Sequence, residues 1–119
     1  MKRRENVIVE KTELFADRII NMCKFLSEKK TGDKDMIRQI YRSGTSIGAN
    51  VAESQYAQSR PDFLTKMSIA LKEANETHFW LARLYNIGHL SEKEFNSMNI
   101  DNEEIIKLLT SITATIKKS

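Results

Sequence analysis

The sequence predicts an all-α fold, an antiparallel up-down-up-down four-helix bundle, and three observations carry that expectation. Only one proline and four glycines interrupt 119 residues rich in strong helix formers. Apolar side chains recur at spacings of three and four along most of the chain, the period of a one-sided helix. The breaks between these stretches are short, so successive helices must lie side by side in opposite directions. A chain of this length holds one core, and residues 1–119 are read as a single domain whose residues 1–6 form a flexible basic arm.

The first helix is expected from about Val7 to Lys29, with Phe15, Ile19, Met22 and Leu26 on one stripe, Leu14 and Phe25 beside it, and Gly32 ending it. Asp33 is placed to cap a second helix that carries Ile37, Tyr41, Gly44, Gly48 and Val51 on one stripe and ends near Ala57. That helix is small-sided. A mid-helix glycine costs about 1 kcal/mol relative to alanine, so Gly44 and Gly48 imply a neighbour whose backbone comes close. Ser59 followed by Asp62, with Pro61 in the first turn, opens a third helix that continues to about Ile87. Ser91 with Glu94 signals a fourth start. From there Phe95, Met98, Asn102, Ile105, Leu109, Ile112 and Ile116 alternate three- and four-residue steps, which favours one long helix over two pieces broken between Asn99 and Asp101.

Within the second and third helices, polar groups sit among small and apolar ones, in Ser46-Ile-Gly-Ala-Asn50-Val-Ala-Glu53 and in Glu73-Ala-Asn-Glu76-Thr-His-Phe-Trp80. Such groups satisfy one another or they do chemistry. In a hairpin turning at Ser59 and Arg60, Glu53 falls level with Lys66, Ser46 with Glu73, and Arg42 with Glu76, so each carboxylate has a donor across the pair. Asn50 is free to reach a backbone carbonyl or a neighbouring subunit. The expectation is an interhelical polar network of Arg42, Ser46, Asn50, Glu53, Lys66, Glu73 and Glu76.

Catalytic readings fare less well. Di-iron bundles draw ligands from Glu-x-x-His motifs, and the sequence contains none, so no metal is expected. His78 and His89 suit packing or capping, Glu73 and Glu76 are an ordinary i, i+3 pair, and neither a nucleophile-and-base set nor a phosphate-binding glycine loop occurs. No catalytic residue and no cofactor are assigned. The lone Cys23, between Met22 and Phe25, reads as a packed thiol in a reducing cytoplasm. Charges at Glu10, Lys11, Glu13, Asp17 and Arg18 leave no apolar run behind the basic start, so neither a secretory signal nor a membrane span is expected.

Two features point outward. Phe79, Trp80, Leu81 and Ala82 face four directions, with Leu84, Tyr85 and Ile87 following, more apolar surface than one core covers. Phe79, Trp80 and Leu84 are therefore assigned to an oligomer interface, the alternative being a central helix with apolar edges. Charge is the other feature. Residues 1–60 carry twelve Lys/Arg against eight Asp/Glu, and residues 61–119 seven against eight, so the net +3 resides in the first half. Lys34, Arg38 and Arg42 form an i, i+4, i+8 stripe, and Lys2, Arg3 and Arg4 a basic arm. With Lys11 and Arg18 the stripe suits a phosphate backbone, although a solvated face explains it equally well.

The segments Ser46-Ile47-x-x-Asn50-Val51-Ala52-Glu53 and Ala70-Leu71-Lys72-Glu73-Ala74-x-Glu76-Thr77-x-x-Trp80-Leu81, with Phe63 between them, resemble the 23S rRNA intervening-sequence proteins, and the resemblance covers nearly the whole chain. It extends distantly to the accessory variability proteins of diversity-generating retroelements, pentameric barrels that bind nucleic acid and a reverse transcriptase. The resemblance implies a cytoplasmic bacterial homopentamer of antiparallel four-helix bundles without catalytic activity and of uncharacterised function. Ser54 and Lys72 depart from the family pattern, where glycine and serine are common. The expected function is an oligomeric, non-enzymatic RNA- or DNA-binding bundle that acts through Lys11, Arg18, Lys34, Arg38 and Arg42. The alternative is a structural or protein-interaction scaffold, with a polymerase or reverse transcriptase as its partner and no membrane.

Overall fold

The structure, a computed structural model, describes residues 3–29 and 33–118, with side chains from residue 6 onward. It comprises α1 (Arg3–Glu28), α2 (Lys34–Ser54), α3 (Arg60–Asn86) and α4 (Glu92–Lys118), arranged as a bundle 47 Å long and about 20 Å across, as its 21 and 18 Å extents show. Helices adjacent in sequence pack as neighbours, α1 on α2, α2 on α3 and α3 on α4. The ring closes where α4 meets α1, the least extensive of the contacts.

Each boundary has a local cause. Asp33 caps α2 through its carboxylate, which accepts from the Asp35 and Met36 amides, and Ser59 caps α3 by accepting from Asp62 N–H, with Pro61 in the first turn. Ser91 and Glu94 exchange bonds, the Ser91 amide donating to the Glu94 carboxylate at 2.8 Å and the Glu94 amide to the Ser91 hydroxyl at 3.1 Å, a complete capping box. Gly88 adopts φ 85°, which lets His89 N–H return to the Leu84 carbonyl and Gly88 N–H to Tyr85, so α3 stops in a Schellman turn. The α4 helix is unbroken through Asn99 to Asp101. The α1 helix starts at Arg3 rather than near Val7, so residues expected in a flexible arm have helical backbone; Met1, Lys2 and the side chains of Arg3, Arg4 and Glu5 lie outside the described residues.

Phe15, Ile19 and Leu26 of α1 meet Ile40, Ile47 and Val51 of α2, Met67, Leu81 and Leu84 of α3, and Ile105, Leu109 and Ile112 of α4 in one core. Burial of each such side chain is worth about 1.5–3 kcal/mol before ordering costs. The two interior glycines of α2 explain themselves here. A methyl on Gly44 would lie 2.6 Å from the Ile19 side chain, and one on Gly48 would lie 3.0 Å from the carbonyl oxygen of Thr12, so both mark a close approach of α2 to α1. The expected α2 stripe needs one correction. Tyr41 is 45% exposed and Ile40 occupies the core instead, because the inward face runs through Ile40, Gly44, Ile47 and Val51.

Candidate functional site

The polar seam between α2 and α3 is built around Arg42. Its guanidinium bonds Glu73 at 3.1 Å and also Glu76, whose Oε2 accepts the Trp80 indole N–H at 3.1 Å. Glu73 is only 12% exposed, so the cation offsets a charge that has lost most of its water. Lys66 reaches Glu53 at 3.0 Å, as the level pairing predicts. Beneath these pairs, the buried Thr77 hydroxyl donates to Ser43 Oγ at 3.0 Å or to the Glu73 carbonyl at 2.8 Å. One expectation is corrected. Glu73 takes Arg42 rather than Ser46, because the long guanidinium side chain spans both carboxylates of an i, i+3 pair. Asn50 reaches a backbone carbonyl, one of its two expected partners, donating to Ser46 of its own helix at 2.8 Å.

The five basic residues differ in the acidic partners they hold. Besides Arg42, Lys11 is bound to Glu104 at 2.8 Å, and Arg18 to Asp101 at 2.6 Å with Ser97 completing its contacts. The hydrogen bond and charge of Glu104 raise the Lys11 ammonium above its ordinary value. These three cations tie helices together. Lys34 and Arg38 differ. Both are exposed, Lys34 forms no ion pair among the described residues, and Arg38 makes only a surface i, i+3 pair with Asp35 at 3.2 Å.

Lys34 and Arg38 line an open groove of about 360 Å³ between α1 and α2, with Lys24 on the opposite wall, Ile20 and Ile37 as apolar lining and Tyr41 beside them. Lys24 and Tyr41 are the residues that sequence reasoning missed. Their signal was present, since Lys34, Arg38 and Tyr41 follow i, i+4, i+7, and Ile20, Lys24 and Ser27 follow the same step on α1. Cys23 also borders the groove. Desolvation raises its thiol to about 11, the environment of a packed thiol.

The residues assigned to an interface separate. Leu84 is fully buried within its own bundle and cannot contact another copy, because its position on α3 faces the core. Trp80 is partly buried and held by Glu76, whereas Phe79 is 48% exposed, lies edge-on to Trp80 at 5.0 Å and carries the Arg83 guanidinium over its ring. Ile87, two turns further along α3, is also exposed. Asn102, which the sequence pattern placed within an apolar repeat, is wholly buried. Its amide donates to the Ala74 carbonyl at 2.9 Å, pinning α4 to α3, and its Oδ1 has no partner among the described residues. The described residues include no group of three or more His, Cys, Asp or Glu that could hold a metal, and no helix long and apolar enough to cross a membrane.

Fold and site together define a class: a small antiparallel four-helix bundle with a polar seam between its middle helices and a basic groove on one flank. Comparison with known proteins identifies the family. Residues 4–111 match the 23S rRNA-intervening sequence protein family, and the chain belongs to it. A solved structure from Bacteroides thetaiotaomicron VPI-5482, described as a protein with unknown function from the S23 ribosomal protein family, shares 49% identity. It superimposes with a TM-score of 0.88 over 93% of this chain and 98% of that one. The curated proteins contain no match.

Proposed function

We propose that this protein is a non-enzymatic, oligomeric, cytoplasmic nucleic-acid-binding bundle whose phosphate contacts come from Lys24, Lys34 and Arg38 in the α1–α2 groove. The observation that carries this reading is the convergence of three exposed cations from two helices on one groove, while Lys11, Arg18 and Arg42 each hold an acidic partner on another helix. Neutralising phosphates releases condensed counterions, so affinity must fall with salt. Self-association would place several copies of the groove on one strand and multiply a modest affinity without new contacts.

A titration of labelled RNA and DNA at two salt concentrations tests the proposal. Three phosphate contacts per protomer give a loss of roughly 20- to 40-fold between about 50 and 200 mM salt. Lys34→Ala/Arg38→Ala is expected to flatten that dependence, and Lys11→Ala to leave it unchanged. Affinity indifferent to salt and to the double substitution would reject the phosphate mechanism.

The exposed row of Phe79 and Ile87 supports a second reading, a scaffold that uses α3 to meet further copies or a polymerase or reverse transcriptase. In that reading the protein has no nucleic-acid affinity, and Phe79→Asp should lower the assembly mass measured by light scattering while no salt-sensitive binding to RNA or DNA is detected for either protein.

A further inference from the structure

We propose that the α1–α2 groove takes single-stranded nucleic acid, with an unpaired base stacked on Tyr41 and the adjoining phosphates held by Lys34, Arg38 and Lys24. This deepens the phosphate-binding reading and rests on it. The groove offers more than charge. Tyr41 stands one turn beyond Arg38 and two beyond Lys34 on the same face of α2, so the ring and the first cation are about 10 Å apart along the helix. Its ring is 45% exposed, and Ile20 and Ile37 form apolar lining beside it.

A duplex hides its base faces and presents phosphates, and an exposed ring contributes nothing to binding it. An unpaired base covers that ring while its own backbone stays near the cations, the combination by which single strands are held without sequence reading. The Arg38 contact with Asp35 does not oppose this. At 3.2 Å between two largely solvated side chains, it is worth little and yields readily to a phosphate oxygen. Charge complementarity also selects this occupant over an apolar partner, since Lys24, Lys34 and Arg38 rim the same groove.

The test is fluorescence anisotropy with a mixed-sequence single-stranded RNA 12-mer, its DNA counterpart, the corresponding duplex, and an abasic strand that keeps the phosphates. Tyr41→Ala is expected to weaken single-strand binding by about 5- to 150-fold and to leave duplex binding within about twofold. Tyr41→Phe should retain wild-type affinity, and the abasic strand should bind wild-type protein as weakly as the intact strand binds Tyr41→Ala. Lys34→Ala/Arg38→Ala should weaken every probe. Single-strand binding no tighter than duplex binding and insensitive to Tyr41→Ala would overturn the stacking proposal while leaving the phosphate reading in place. Absence of salt-sensitive binding to any probe would overturn both. A changed assembly mass in Tyr41→Ala with unchanged single-strand affinity would assign the ring to a protein contact and also overturn the proposal.

Discussion

Two edges of this bundle are bridged by basic and acidic side chains, and they differ in what lies beneath the charges. Between α2 and α3, Arg42 compensates the largely buried Glu73, with the Thr77 and Ser43 hydroxyls packed below in the dry interior. Between α1 and α4, Lys11 meets Glu104 and Arg18 meets Asp101 across surfaces that stay about half exposed, where the helices approach least. The first arrangement satisfies charges that burial would otherwise penalise. The second spans an edge that apolar packing leaves open. Identical residue chemistry thus has different energetic weight according to the water it displaces.

The comparison makes unequal demands on three experiments. Arg42→Ala should cost about 1–3 kcal/mol by urea denaturation, because Glu73 remains with little water and no cation. The emission of Trp80, the single tryptophan, should shift as Glu76 reorients. A loss below a few tenths would erase the distinction between the edges. Lys11→Ala and Arg18→Ala should each cost about 0.2–1 kcal/mol, the range of exposed pairs. The smallest effect belongs to Glu94, at the α4 end of the open edge. The Ser91 amide hydrogen bond holds its carboxyl below the ordinary carboxylate value. A depressed value stabilises the fold fully above the unfolded carboxylate range, and that contribution fades as pH falls through the folded value. Wild type should therefore exceed Glu94→Gln in melting temperature at pH 6 by an amount equivalent to about 0.5 kcal/mol or less, and the difference should vanish near pH 2.

The four helices were legible because their causes are local: the Asp33, Ser59 and Ser91 caps, the Gly88 stop and the three-four apolar period act within a few residues. The α2–α3 seam was legible for a related reason. A hairpin puts residues level by arithmetic, and that arithmetic pairs Glu53 with Lys66 and Arg42 with Glu76. The partners of Lys11 and Arg18 were not legible, since nothing in a single chain says which faces of its first and last helices meet. Both residues consequently looked available to a phosphate. Tyr41 was misplaced for another reason, because its spacing from Ile37 and Gly44 fits a core stripe as well as the rim beside it. Asn102 fell inside an apolar repeat, where periodicity records position and says nothing about polarity.

The separations of the paired residues along the chain have a kinetic consequence. Arg42 lies 31 and 34 residues from its acidic partners, while Lys11 and Arg18 lie 93 and 83 from theirs. Closing the longer loops costs about 1 kcal/mol more in chain entropy, with less buried surface to offset it. The central hairpin is thus expected to assemble first and open last, and the seam between the chain's two outer helices to form late and breathe often. Amide exchange should be slowest in the facing halves of α2 and α3 and fastest along the outer flank of α4, with the bundle opening like a clasp at that seam.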